Sequence, residues 1–168
     1  IVHLAATSGT LTDPATHFDM VRVGAGLVGI DPSESVALQG AARLTASVVH
    51  SSVVPAGTPV GYGGAYVTER ATRLSVIGVG YADGIPRELA VGAAVAIDGI
   101  RCPIVGRVSM DQIVVDTGDL TLPRGTTAVV FGPEGGAVPT VQEWARWAGS
   151  IPHTIVTGIG RRVERAIA

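Results

Sequence analysis

Short β-branched segments recur along most of this 168-residue chain, over 43–54, 73–79, 93–97, 101–105, 112–116, 126–131 and 155–159. Branching at Cβ stiffens χ1 and suits extended backbone, so runs rich in Val, Ile and Thr read as strands. Turn residues separate them, at 55–59, 98–99, 123–125 and 132–136. The pattern predicts a mostly β fold, a compact and mainly antiparallel sheet or barrel. One helix stands out over 141–148, with Thr140 as its N-cap and Glu143 three residues on to complete a capping box. Trp144 and Ala148 share a face, Trp147 extends it, and Gly149 ends the helix; both tryptophans are expected in the core.

The first 35 residues read differently. An apolar run to Ala6, polar turn residues over 7–13, an apolar stretch over 18–23 and a glycine-rich segment ending at Asp31 and Pro32 make a region too short to fold alone. We therefore divide the chain into 1–35 and 36–168.

At 46% hydrophobic and 15% charged, the composition is globular and excludes disorder. A net charge of −2, with arginines scattered except for Arg161, Arg162 and Arg165, gives no surface for a polyanion, so no nucleic-acid partner is expected. No apolar run approaches the roughly 20 residues of a bilayer span, and no basic-then-apolar leader opens the chain. A cytoplasmic protein with no membrane partner is expected. Cys102, the single cysteine, lies in an apolar stretch where a buried, inert thiol is expected, and the dispersed His3, His17 and His50 give no metal spacing. All twelve basic residues are arginine, so the chain has no amine side chain able to form a Schiff base.

Gly24, Gly26 and Gly29 match the GxGxxG dinucleotide pattern, but that motif needs a helix directly after it and an acid about 20 residues on. Asp31 and Pro32 interrupt the helix, and no acid stands near position 49. What remains is glycine-rich backbone after a strand, which offers amides to an anionic group.

Two further segments carry chemistry. Residues 80–87 read GYADGIPR and residues 106–112 read GRVSMDQ; each sets a Tyr or Arg beside a carboxylate, with glycines that admit close backbone approach. With HLAATS at 3–8, FDMVRVG at 18–24 and GYGGAY at 61–66, in this order, they resemble the C-terminal half of alanine racemases, which hold pyridoxal phosphate as a Schiff base on a lysine. The resemblance implies a C-terminal β-barrel-like domain with one short helix, preceded by the last segment of an α/β barrel of the TIM type. It implies that the Schiff-base lysine lies upstream, in keeping with a chain that starts at Ile1 inside an apolar pattern, and that these residues alone are inactive.

By the same resemblance Thr7 donates a hydroxyl to the cofactor phosphate, Gly24 and Ala25 give amides, and Arg22 faces the pyridine nitrogen. Ala6 and Thr7 stand where the family usually has asparagine and serine, and Ser8 could take over the hydroxyl contact. A permanently charged guanidinium discourages protonation of the ring nitrogen and weakens the ring as an electron sink, which suits brief deprotonation and return of a proton. The alternative for Arg22 is a surface role or an ion pair with Asp19.

Racemisation by two bases needs one group on each face of a planar intermediate, and a tyrosine, with an ordinary pKa of about 10, can serve beside positive charge. The resemblance makes Tyr62 the general acid/base, with Tyr81, Asp83 and Arg87 at the substrate entrance; motif strength alone would choose Tyr81 as the base. It also implies that the Met110 backbone binds the substrate carboxylate, with Arg107 and Asp111 on the same wall. His153, in IPHT at 151–154, stands where relatives carry a tyrosine that touches the phosphate. The implied protein is a head-to-tail homodimer whose β-domain residues reach the partner's active site, acting on alanine and feeding D-alanine to peptidoglycan. Racemisation of serine or a larger amino acid, and a stand-alone non-catalytic β domain, are the competing readings.

Overall fold

A computed structural model describes residues 1–133 and 135–167. The chain divides into two units, Ile1–Arg43 and Leu44–Ala168.

In the first unit β1 (His3–Ala6) leads directly into α1 (Thr7–Thr12), and β2 (Met20–Arg22) returns parallel to β1, with His3 opposite Met20 and Ala6 opposite Arg22. A parallel pair joined through a helix is the local pattern of α/β folds. The polar stretch expected as turn is thus partly helical. Thr10 Oγ1 donates to the Ala6 carbonyl at 2.8 Å and Thr12 Oγ1 to that of Ser8 at 2.9 Å, so these hydroxyls bond back along the helix. The glycine-rich segment forms a 3-10 turn, Ala25–Val28, closed by Gly29 at φ 77°. A Cβ on Gly29 would lie 2.7 Å from Gly40 Cα, so glycine is required there. No α-helix follows it, because Asp31 caps a turn. Its carboxylate accepts hydrogen bonds from the Ser33 hydroxyl, from the amides of Ser33 (2.8 Å), Ser35 (2.7 Å) and Val36 (2.9 Å), and from Ser35 Oγ (3.0 Å). These bonds, that of the Ser33 hydroxyl foremost, hold the Asp31 carboxyl well below the usual range.

The second unit contains β3 (Leu44–Val54), β4 (Pro59–Val60), β5 (Tyr66–Val67), β6 (Thr72–Ile77), β7 (Ala94–Ile97), β8 (Ile100–Pro103), β9 (Ile113–Gly118), β10 (Thr127–Phe131), α2 (Val141–Trp147) and α3 (Pro152–Gly158). Six strands form one sheet in the order β8-β7-β10-β3-β6-β9, and all its pairings are antiparallel; β4 and β5 make a separate hairpin. The sheet nearly closes on itself. Just beyond β8, Ile104 bridges Val115 of β9, and the Val105 amide donates to the Val114 carbonyl at 2.9 Å. Closure leaves little unpaired edge.

Fully buried Val48, Ile77, Val95, Ile97, Ile113, Val115 and Val130 build the core. Two polar residues inside are satisfied, since Ser75 Oγ bonds Thr117 Oγ1 at 2.9 Å and Ser51 Oγ at 3.0 Å. Helix α2 forms as its capping box predicts: Thr140 Oγ1 accepts from the Glu143 amide at 3.2 Å and the Glu143 carboxylate accepts from the Thr140 amide at 2.8 Å. Trp144 is fully buried and meets Trp147 edge-on at 5.7 Å. Its Nε1 donates to the Val130 carbonyl at 2.6 Å, at the point where the register of β10 on β3 skips from Val129 to Phe131. The indole thus serves a carbonyl displaced by a bulge.

One expected strand is a correction. Residues 155–159 do not form a strand; α3 covers most of them, so the described residues form three short α-helices where one was expected. Pro152 occupies the first turn, where its fixed φ suits helix initiation, and Thr154 Oγ1 donates to the Ile151 carbonyl at 2.8 Å. Local initiation and burial of Ile155 outweigh the β preference of Ile155, Val156 and Thr157.

Two outcomes are expected. Trp144→Phe strips the donor from the Val130 carbonyl and leaves a void, costing roughly 2–4 kcal/mol in a denaturant titration. For Glu143, burial pushes the carboxyl up, but hydrogen bonds from Arg101 and Thr140 outweigh it and hold it below the usual range. A lowered folded pKa gives stability that is present above the ordinary glutamate pKa of about 4.3 and lost as pH falls through the folded value. Glu143→Gln should therefore lower Tm at pH 7, with the gap from wild type closing as the pH is brought to about 3.

Candidate active site

Strands β6 and β9 are neighbours with Ile77 opposite Ile113, so the segment leaving β6 and the segment entering β9 emerge at the same end of the barrel. These are the two motifs of 80–87 and 106–112. The 3-10 turn Tyr81–Asp83 lies on the loop before β9: the Tyr81 amide donates to the Ser109 carbonyl at 3.0 Å and the Ala82 amide to the Met110 carbonyl at 2.9 Å. A Cβ on Gly80 would collide with both carbonyl oxygens, so backbone packs on backbone. The buried Asp83 fastens the turn, its Oδ2 accepting from the Gly80 amide at 2.9 Å.

The other end of the 106–112 loop carries Tyr62. Val60, at the end of β4, joins Leu74 and Val105 in a small buried cluster, which anchors the hairpin. Beyond it Gly61 (φ 72°) and Gly106 (φ 74°) face each other's chains: a Cβ on Gly61 would lie 2.9 Å from Arg107 N, and one on Gly106 2.8 Å from the Val60 carbonyl oxygen. The turn Tyr62–Gly64 is thereby presented over Arg107, whose guanidinium donates to the Tyr62 carbonyl at 3.4 Å. Tyr62 is 60% exposed.

Between these turns the Ser109 amide donates to the Gln112 carbonyl at 3.0 Å, which sets Met110 and Asp111 at a tight tip. Met110 is half exposed and its carbonyl is engaged by Ala82; among the described residues its own N–H donates to no protein acceptor. One seven-residue loop therefore gathers Tyr62, Tyr81, Asp83, Arg107, Met110 and Asp111. Arg87 pairs with Glu88 at 2.5 Å, and with Arg107 and Tyr66 it lines an open groove of 440 Å³.

Sequence reasoning did not single out Arg162. Its Nε lies 3.1 Å from Asp83 Oδ1 and a terminal nitrogen lies 2.7 Å from Asp111 Oδ1, so it joins the two motifs. The hydrogen bond to Asp111 and the charge of Asp83 raise its pKa further. The available signal was the arginine cluster at 161–165, which by itself names no partner.

In the first unit Thr7 opens α1 and is buried, and its Oγ1 accepts from the amides of Gly24 at 3.3 Å and Gly26 at 3.2 Å. Ser8 follows it, and Ala25 begins the next 3-10 turn. Arg22 ends β2 and donates to the Leu4 carbonyl at 3.1 Å, while the Asp19 carboxylate accepts from the Val2 amide at 2.9 Å. In the second unit, His153 is half-buried in the first turn of α3. Cys102 is buried, and burial together with the charges of Asp116 and Asp98 pushes its thiol up to about 11, out of reach of nucleophilic chemistry near neutrality.

Residues 41–167 match the family described as alanine racemase, C-terminal domain. The chain belongs to the alanine racemase family. It is 44% identical over 167 residues to the alanine racemase of Salinispora arenicola, which covers 98% of this chain and 45% of that protein. Among solved alanine racemases, that of D-cycloserine-producing Streptomyces lavendulae superposes with a TM-score of 0.87 at 42% identity, over 96% of this chain and 44% of the other. That of Bartonella henselae, with covalently bound pyridoxal phosphate, gives 0.84 at 36% identity, over 96% and 45%. The chain spans a little under half the length of the alanine racemases it matches.

For this alanine racemase domain the packing of glycine on carbonyl is a testable requirement. Gly80→Ala should cost more than about 1 kcal/mol, above the conformational effect of a glycine replacement, whereas Gly99→Ala meets nothing within 4 Å and carries only the strain of its positive φ. Denaturant midpoints of the two variants check the difference.

Proposed function

We propose that this chain is the C-terminal part of a pyridoxal-phosphate-dependent alanine racemase that interconverts L- and D-alanine with two bases. The observation that carries the reading is the gathering of Tyr62, Tyr81, Met110 and Asp111 around the 106–112 loop, which would bring acid/base, carboxylate-binding and entrance groups together. Residues 1–35 are then the end of an α/β barrel and the β domain follows, with 36–43, which group with the first unit, as the connection between them.

When bound, pyridoxal phosphate supplies an electron sink for the charge left at Cα as its proton departs. The residues of the first unit fit such a group. Thr7 Oγ1 uses its lone pairs on the Gly24 and Gly26 amides, which leaves its hydroxyl proton to give to a phosphate oxygen, and a Cβ at Gly24 would meet nothing within 4 Å. Ala25 would add its amide, with Ser8 as a second hydroxyl and His153 as a donor in place of the family's tyrosine. Arg22 would face the ring nitrogen and keep the sink weak.

Tyr62 would give or take the Cα proton on one face, carried on a glycine turn whose backbone carbonyl accepts from the Arg107 guanidinium. The second base would be the lysine that holds the cofactor, which must come from outside these 168 residues because they contain none. The Met110 amide would bind the substrate carboxylate, Arg107 and Asp111 would wall it, and Tyr81, Asp83 and Arg87 would shape the entrance. In the proposed head-to-tail homodimer these groups serve the partner's site, which accounts for the exposure of Tyr62 and Met110 in the single chain. The setting is the cytoplasm, with D-alanine as a building block for peptidoglycan; no described helix is long and apolar enough to cross a membrane.

The test uses the complete enzyme in deuterated water, following α-proton exchange and inversion of L-alanine. Tyr62→Phe should lower inversion by roughly 100-fold or more, the usual contribution of a positioned acid/base group, while cofactor absorbance is retained. Undiminished inversion in the variant would remove Tyr62 from the chemistry. Absence of inversion by the unmutated enzyme would point to another amino acid or to a non-catalytic domain.

A further inference from the structure

The Tyr81–Asp83 turn and the Met110 tip are hydrogen-bonded to each other through backbone groups, and such a contact depends on what holds the two segments together. Tyr81 and Ala82 donate to the Ser109 and Met110 carbonyls, but the charged groups beside them, Asp83 and Asp111, repel one another unless a cation lies between. Arg162 is that cation. Its Nε meets Asp83 Oδ1 at 3.1 Å and its terminal nitrogen meets Asp111 Oδ1 at 2.7 Å, while Asp83 Oδ2 stays on the Gly80 amide. The tail bearing Arg162 is itself anchored to the same turn. The Gly160 amide donates to the Asp83 carbonyl at 2.9 Å, and a Cβ on Gly84 would collide with the Gly158 carbonyl. Arg165 curls the tail by donating to the Ile159 carbonyl at 3.0 Å and the Val163 carbonyl at 3.2 Å.

We propose that Arg162 is a positioning residue: by joining Asp83 to Asp111 it fixes the Tyr81 turn against the Met110 tip, and so sets the place of the Met110 amide toward the substrate carboxylate. The part concerning substrate rests on the racemase reading; the part concerning the two turns does not. Asp83 has a side-chain exposure of only 10%, so loss of Arg162 leaves a nearly enclosed carboxylate with one backbone donor, whereas Asp111, at 58%, can turn to water. A guanidinium spans two carboxylates from different nitrogens, and a lysine ammonium is a single point, so lysine should restore one arm at most.

The test takes the complete protein with Arg162→Ala, Arg162→Lys, Asp111→Asn and, as a control for loss of charge in the same tail, Arg161→Ala. Amide hydrogen exchange is the readout that needs no activity. Arg162→Ala should speed exchange at Tyr81 and Ala82 by about tenfold or more while β6 and β9 amides keep their rates, with Asp111→Asn and Arg162→Lys in between. In the same proteins KM for alanine should rise about tenfold in Arg162→Ala with kcat changed less than threefold, the pattern of a lost ground-state contact. Unchanged exchange at Tyr81 and Ala82 would overturn the proposal whether or not the protein racemises alanine. Faster exchange with unchanged KM would overturn its substrate half, and an equal effect from Arg161→Ala would reduce it to general electrostatics. Exchange that quickens across the whole sheet would make Arg162 a global stabiliser, against the proposal.

Discussion

Backbone packed on backbone at Gly80, where any side chain would strike the Ser109 and Met110 carbonyls, is the constraint on which the site depends. Contacts of this kind admit no side-chain cushion, so the two segments either meet at hydrogen-bonding distance or do not meet. The same device recurs at the other end of the loop, where Gly61 and Gly106 bring the Tyr62 turn onto Arg107. Tyr62, Met110 and Tyr81 are thereby spaced by main-chain geometry, which is stiffer than the rotamers of exposed side chains.

The barrel supplies what these contacts need beforehand. Pairing of Ile77 with Ile113 sends both segments out of one end of adjacent strands, and the bridge of Ile104 to Val115 fixes where the 106–112 loop begins. Beneath them Val60, Leu74 and Val105 hold the hairpin that ends in Tyr62, with each buried aliphatic worth roughly 1.5–3 kcal/mol. The exposed chemistry thus stands on a buried base, and the charged bridge of Arg162 joins the Tyr81 turn to the Met110 tip.

How much of this was legible depended on whether the signal was local. Strand positions follow from β-branched runs and turn residues, and the α2 capping box from Thr140 and Glu143, because their partners lie within a few residues. At α3 the local preference of Ile155, Val156 and Thr157 points to a strand, while Pro152 and burial of Ile155 decide for a helix. The polar run in α1 hid a helix for a related reason, its hydroxyls bonding back to carbonyls four residues earlier. Glycines at 61, 80 and 106 announced close approach without saying to what. The arginine cluster at 161–165 could not name the partners of Arg162, since the residues it joins lie 79 and 51 positions away and nothing in their spacing points to it.

If the 106–112 loop is the heart of the site, Tyr62 and the Met110 amide surround one small carboxylate-bearing substrate. The most direct measurement is a crystal structure of the complete protein grown with pyridoxal phosphate and a small carboxylate such as propionate. The carboxylate should lie on the Met110 N–H, with the Tyr62 phenol facing the adjacent carbon. A carboxylate bound elsewhere, with Met110 N–H and Tyr62 both turned to bulk solvent, would contradict it.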